Sequence, residues 1–249
     1  MSEPEVLVSD TDGVRLITLN RPRVRNAVNQ ALADGLGAAL DELDRRDDLR
    51  VGVLCGAGGT FCAGMDLRAF GTEGVPLVPG RGFAGIAERS SEKPLVAAVE
   101  GYALAGGLEI ALACDVIVAA RTATFGLPEV RRGLVAAAGG LLRLPRRLPR
   151  HVAALYILTG RPFDAELADR FGLVSRLVDD GAAVHEALSV AAAIAANPPV
   201  AVRVAKRVAD ESAGWAPDEM FARQQPIVAD VLESAAALDG AAAFLRRTR

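Results

Sequence analysis

The amino-acid sequence predicts an α/β protein built on a parallel sheet covered on both faces, with a run of helices after it. Three observations carry this. Short apolar runs such as Val51–Leu54, Leu95–Val99 and Val116–Ala119 alternate with stretches of helical spacing, as strands do when helices cover both sides of a parallel sheet. Beyond about residue 180 helical patterns continue but strand patterns stop. At 249 residues and 51% hydrophobic composition, the chain is long enough to bury one sizeable core.

Taken in order, Val14–Leu19 (VRLITL) reads as a strand that stops at Asn20-Arg21-Pro22. Residues Asn29 to Arg45 follow as a helix, with Leu32, Leu36, Leu40 and Leu43 on one stripe. Val51–Leu54 is a buried strand ended by the glycine-rich GAGGTFCAG. Gly71 to Gly85, rich in Gly and Pro, is expected to be a mobile loop, a lid over a site. Leu95–Val99 is the next strand, Leu108 to Cys114 a helix after the Gly106-Gly107 break, then Val116–Ala119 and Leu173 to Val178 are strands. Helices are expected at 182–196, 199–213, 218–232 and 234–247. The expected organisation is therefore an α/β core over 1–190 and a helical region over 191–249.

Composition removes several function classes. A formal net charge of −3 gives no basic footprint for nucleic acid. The densest basic stretch, LRLPRRLPR ending at Arg150, reads as a solvated loop and helix start. Cys55, Cys62 and Cys114 form no CxxC pair and suggest reduced thiols in a reducing, cytoplasmic setting. His151 and His185 are the only histidines and neither has a ligand-spaced partner, so neither a metal site nor a Ser-His triad is expected. The N-terminus is acidic without an apolar h-region. The apolar stretch 95–120 is interrupted by Glu100, Glu109 and Asp115, which argues against a membrane span.

The chemistry concentrates in three segments: FCAGMDL at 61–67, GYALAGGLE at 101–109, and FGLPE at 125–129. The first two follow buried strands, where small residues let a ligand approach the backbone. Gly106 and Gly107 sit at a helix start, whose first N–H groups lack internal partners and whose dipole favours a negative oxygen. Ala63 offers a second N–H, and two convergent donors form an oxyanion hole. Glu109 lies three residues past Gly106, on the same helix face. Glu129 follows in a Gly-x-Pro-Glu turn that fixes its direction. Plain alternatives stay open on this reading: tight turns at FCAG and AGG, a dipole-serving Glu109 and a surface Glu129.

These residues carry a resemblance. FCAGMDL, KPLVAAVEGYALAGGLEIALACDVIVA and ATFGLPEVRRGLVAAAGGLLRLPRRL resemble the three signature stretches of the crotonase superfamily, the enoyl-CoA hydratase/isomerase family, in order and spacing. The resemblance covers about Val14 to Val178, and the helical tail is similar in type. It implies a spiral of repeated β-β-α units with a C-terminal helical trimerisation region, a CoA thioester substrate, no separate cofactor or metal, and a homotrimer or dimer of trimers. The thioester oxygen would bind the N–H groups of Ala63 and Gly106. Ala63, Gly64, Met65, Asp66 and Leu67 would line the CoA arm, with Arg23 and Arg25 near the nucleotide and Phe244 as the family's helix phenylalanine. The chain stops at FLRRTR, without the aromatic tail that completes the CoA pocket in many relatives.

Glu109 and Glu129 match the two acids that bracket the double bond in family hydratases. Glu109 would deprotonate the attacking water, and Glu129 would protonate the α-carbon. The expected activity is hydration of a 2-enoyl-CoA, in acyl-CoA metabolism such as fatty-acid β-oxidation. The alternatives are an enoyl-CoA isomerase, a carnitinyl-type dehydratase and a noncatalytic acyl-CoA binder. Acyl length would depend on the 71–85 loop and on the depth behind Leu134 and Leu141.

Overall fold

Strand β1 (Val6–Thr11) turns back into β2 (Val14–Leu19) through Asp12-Gly13. Both turn residues have positive φ, at 51° and 80°, which matches the twist of a two-residue hairpin. A computed structural model describes residues 3–233 and Ala237. After a 3-10 turn (Pro22–Val24), α1 (Gln30–Arg45) starts where the Asn29 side chain accepts the Leu32 N–H, and its leucine stripe is fully buried. Next come β3 (Val51–Gly56), α2 (Leu67–Glu73), the two-residue strands β4 (Leu77–Val78) and β5 (Gly82–Phe83), β6 (Leu95–Val99), β7 (Tyr102–Leu104) and α3 (Gly106–Leu112). They are followed by β8 (Val116–Ala120), β9 (Thr124–Gly126), a 3-10 turn (Pro128–Arg132), α4 (Gly140–Arg147), α5 (Arg150–Thr159), β10 (Phe163–Asp164), α6 (Ala165–Arg170) and β11 (Arg176–Val178). Helices α7 (Ala183–Ala195), α8 (Pro199–Ser212) and α9 (Met220–Leu232) complete the described chain.

The long sheet has the order β1-β2-β3-β6-β8-β11, parallel from β2 onward. Register places Ile17, Leu54, Ala97 and Ile117 side by side across it, all buried. Strands β6 and β8 each pass after a short corner into a member of a second small sheet, ordered β10-β9-β7. The chain leaving β3 does the same with one residue, since Cys62 bridges Ala103 in parallel. One strand in the long sheet, one in the short sheet and then a helix is the repeating β-β-α unit expected from the resemblance.

One face of the long sheet joins α1, α3 and the short sheet in the larger core. The other face carries Val14, Val51, Val53, Val96, Ala98 and Val118 against α7. Helix α7 presents Ala183, Ala187, Ala191 and Ala195 to that face. Alanine at every fourth position lets the helix lie close to the valines. The residue-190 division falls inside this helix. In contrast, α8 and α9 bury no residue within the chain.

Two expectations need correction. In the basic stretch Arg146, Arg147 and Arg150 are exposed and α5 starts at Arg150 as expected, but most of the stretch is helical, in α4, and half-buried Arg143 reaches inward to carbonyl groups instead of solvent. The 71–85 segment is not uniformly mobile. Its second half is pinned to α1 by buried Arg81, which pairs with Asp41 and Asp44 and donates to the Arg89 carbonyl. A Cβ on Gly85 would fall 2.7 Å from the Ala33 carbonyl oxygen, so this turn lies directly on the α1 backbone. Helix α2, at the other end, buries nothing. The 234–247 helix and Phe244 lie outside the described residues.

Candidate active site

The FCAG loop and the start of α3 meet backbone to backbone. A Cβ on Gly107 would stand 2.1 Å from the Cys62 carbonyl oxygen, and one on Gly64 would stand 3.1 Å from the Gly106 nitrogen. Neither position accommodates a side chain, and Gly64 also sits at φ +99°. Ala105, which precedes Gly106, is held at φ 53° and ψ −129°, strain of the kind that concentrates at functional sites. Its N–H donates to the Gly126 carbonyl, so the third signature segment holds the second in place. The Phe83 ring lies against Gly106, within 2.6 Å of where a Cβ would be.

Gly106 opens α3, and its N–H has no acceptor among the described residues, as expected at a helix start. The partner donor differs from the sequence expectation. The Ala63 N–H is committed to the Arg25 carbonyl at 3.0 Å. Val28 bonds to the residues on either side of Met65, donating to the Gly64 carbonyl at 2.8 Å and accepting from the Asp66 N–H at 2.8 Å. In a parallel bridge the bracketed residue turns its own N–H the other way. The Met65 N–H therefore points away from Val28 and has no acceptor among the described residues. Met65, not Ala63, is the free donor of this loop.

Glu109 lies in the first turn of α3 and is 3% exposed. Its Oε1 accepts two backbone N–H bonds, from Ala138 at 2.7 Å and Gly140 at 2.8 Å. Burial raises its pKa, opposed by those two bonds and by the positive charge of Arg143. Glu129 comes from the Pro128–Arg132 turn, and its buried Oε2 has no hydrogen-bond partner. Burial first, and the nearby charge of Glu109 further, push its pKa up to about 7. The charge of Glu109 is thus felt at Glu129, which places the two carboxyls close together.

The other expected residues divide. Asp66 caps α2 by accepting the Arg68 and Ala69 N–H groups and pairs with Arg21 at 3.0 Å. Burial works against its charge, but those partners hold its pKa below the usual value. Leu67 is exposed at the start of α2. The Arg25 guanidinium lies 5.2 Å from the Tyr102 ring centre, and Arg23 is exposed beside it in the chain. The sequence reading missed Asn26. Fully buried with φ 55°, it donates to the Ala57, Thr60 and Phe61 carbonyls and accepts the Arg21 N–H. It fixes the start of the FCAG loop. The signal was an asparagine, a residue that tolerates positive φ, just past a proline turn.

All three cysteines are free and buried, and burial pushes the Cys62 thiol up to about 12. Among the described residues no cluster of His, Cys, Asp or Glu is arranged for a metal, and no single helix is long and apolar enough to cross a membrane. A cavity of about 410 Å³ lined by Leu104, Gly126, Pro128, Arg131, Arg132, Gly160 and Pro162 adjoins the Glu129 turn but takes in neither acid.

Two unpaired N–H groups, one in the FCAG loop and one at the start of α3, with buried Glu109 and half-buried Glu129 close together, fit a site of crotonase type. The family model described as enoyl-CoA hydratase/isomerase matches residues 9–249, and the chain belongs to that family. It is similar to an enoyl-CoA hydratase of Mycobacterium tuberculosis, 38% identical and covering 99% of this chain and 95% of the relative. It is also similar to a carnitinyl-CoA dehydratase of Salmonella typhi, 38% identical over 93% of this chain and 91% of the relative. A crystal structure of enoyl-CoA hydratase from M. tuberculosis H37Rv superposes with a TM-score of 0.96 at 53% identity, covering 98% of this chain and 97% of that one.

Proposed function

We propose that this enzyme adds water across the double bond of a 2-enoyl-CoA thioester to give the 3-hydroxyacyl-CoA. The observation that carries the reading is the joint presence of two free N–H donors, Met65 and Gly106, and two acids in unlike environments. The donors hold the thioester oxygen and draw charge from the alkene, making the β-carbon electrophilic; losing one such donor typically costs about 10²–10³ in turnover. Glu109, fixed in direction by two N–H groups, takes a proton from the water as its oxygen bonds to the β-carbon. Glu129 gives a proton to the α-carbon as the enolate collapses. One proton is gained and one lost, and exchange between the acids through water restores the starting state.

Glu129 suits the donor role because burial keeps it substantially protonated near neutral pH. An isomerase needs one acid to move a proton between carbons, so two acids around one water favour hydration or its reverse. The likeness to the carnitinyl-CoA dehydratase keeps a polar acyl chain in view. The test is turnover on crotonyl-CoA, on a 3-enoyl-CoA and on a trimethylammonium-bearing enoyl-CoA. Hydration of the first or third supports the reading. Activity on the 3-enoyl substrate alone replaces it with isomerisation, and thermal stabilisation by CoA esters without turnover replaces it with binding.

Assembly as a homotrimer, or a dimer of trimers, belongs to the same proposal. It is supported by the absence of residues buried within the chain on α8 and α9 and by exposed Val200, Phe221 and Leu232. Light scattering of the purified chain tests it. We further propose that Arg23 and Arg25 meet the CoA nucleotide, and that the enzyme works in the cytoplasm, where its unbridged thiols are stable.

A further inference from the structure

Arg143 connects both walls of the acid site without touching either acid at ion-pair distance. Its Nη2 donates to the Ala87 carbonyl at 2.7 Å, and Nη1 reaches the Ala138 carbonyl at 3.5 Å. The guanidinium lies over Gly139, where a Cβ would fall 2.1 Å from Nη1. Gly139 has φ +100°, and its carbonyl accepts the Arg143 N–H at 2.8 Å. Ala138 and Gly140, on either side of this glycine, supply the two N–H groups that hold Glu109 Oε1. Ala87 in turn donates its N–H to the Phe83 carbonyl, and the Phe83 ring packs on Gly106.

We propose that Arg143 is a positioning residue for Glu109: its guanidinium ties the Ala138–Gly140 cradle to the Ala87 end of the Phe83 turn, keeping both cradle N–H groups aimed at Oε1. The positive charge also favours the ionised form of Glu109 that must accept the water's proton. The charged groups facing Arg143 are Arg146 and Arg147 of its own helix and Glu109 of α3; the buried Cys114 thiol just past α3 is kept neutral by burial, and Glu129 faces Glu109 from the Pro128–Arg132 turn. Both arginine neighbours oppose its charge, so the guanidinium is held there by carbonyl groups and by the field of Glu109. This inference rests on the hydratase reading for its kinetic arm only.

The experiment compares wild type with Arg143→Gln and Arg143→Lys. Removing the charge makes Glu109 harder to ionise, so in R143Q the acid limb of kcat/KM moves to higher pH by roughly half a unit or more. R143K retains the charge and leaves that limb in place, but a single ammonium cannot span both carbonyls. Its kcat falls about tenfold with KM within twofold of wild type. A merely structural role predicts lower stability and lower active fraction in both variants, with the pH limb unmoved. An unmoved limb in R143Q, or wild-type kcat in R143K, overturns the proposal; if R143Q does not fold, R143K decides it by kcat per folded molecule, which a merely structural role leaves at the wild-type value. The second arm follows the Glu109 carboxyl by ¹³C NMR in glutamate-labelled protein, assigned by its absence in E109Q. Loss of wild-type turnover would sink the hydratase reading yet leave this arm standing, and an identical Glu109 titration in wild type and R143Q would sink the Arg143 proposal by itself.

Discussion

The first turn of α3 and the Pro128–Arg132 turn each deliver one carboxylate to the same site, and they hold it in opposite ways. Glu109 is locked: two backbone N–H groups meet one of its oxygens, and its helix is buried throughout. Glu129 stands on a short turn with no buried residue, and its buried Oε2 meets no donor. Burial raises both pKa values; the two cradle N–H groups and Arg143 pull Glu109 back, whereas Glu129, held back by a bond to its own backbone and by Arg132, is pushed up further by the charge of Glu109. Direction and proton affinity are therefore set by different means. A satisfied carboxylate is fixed in space and stays ready to accept a proton, whereas an unsatisfied one prefers to keep its own.

The largest effects are expected from removing each acid in turn. Glu109→Gln and Glu129→Gln are each expected to lower kcat by about 10²–10⁴-fold, the usual worth of a positioned acid or base. Affinity for a saturated acyl-CoA should change little in both. A variant that keeps wild-type turnover would take its residue out of the chemistry. Next in size is Gly64→Ala, which puts a Cβ 2.7 Å from the Ala105 Cβ and 3.1 Å from the Gly106 nitrogen. It attacks the donors, not the acids. Its expected effect is a loss of about 10²–10³ in kcat, with the pH profile of the residual activity unchanged.

Much of this site was legible in the sequence, and what was not has a physical reason. Both acids stood out through local signals, a helix start after paired glycines and a Gly-x-Pro-Glu turn, which left a dipole-serving Glu109 and a surface Glu129 open; their roles came from the resemblance. The strands Val14–Leu19 and Leu95–Val99 were read to the residue, since buried parallel strands are apolar runs with sharp ends. The second donor was misassigned by two positions because the choice between Ala63 and Met65 is made by Arg25 and Val28, which lie more than thirty residues earlier. The short strands β7, β9 and β10 were also missed, since two or three residues show no period. β1 was missed although Asp12-Gly13 is a hairpin signal. The pinned half of the 71–85 segment depends on Arg81 reaching Asp41, a pairing that no local pattern announces.

A more moderate effect should appear in stability against pH. The Glu129 carboxyl titrates at about 7 in the fold against an ordinary value of 4.5. Between those values the folded chain holds a proton that the unfolded chain has released, so stability falls as pH rises through the window. Above about 7 the cost of an ionised carboxylate whose buried Oε2 meets no donor is fully present. Glu129→Gln does not titrate, so its Tm should exceed that of wild type at pH 8, with the gap closing toward pH 4.5. A pH-independent gap would mean that Glu129 is better solvated than its position indicates. The same group predicts an alkaline limb near pH 7 in kcat/KM, because the proton donor is lost there.

The smallest effect expected is the most discriminating. Gly140→Ala places a Cβ 3.0 Å from Glu109 Oε1 and 3.0 Å from both Leu127 methyl groups. At that distance the neighbours must shift by only a few tenths of an ångström, and Glu109 is the neighbour whose position matters to the reaction. The expected loss in kcat is under about tenfold, or 1.4 kcal/mol in the barrier. The alkaline limb assigned to Glu129 should stay where it is in wild type, because the Pro128–Arg132 turn keeps its own backbone. If that limb moves with the cradle, the two carboxylates titrate as one coupled pair, and the separation of direction from proton affinity would not hold.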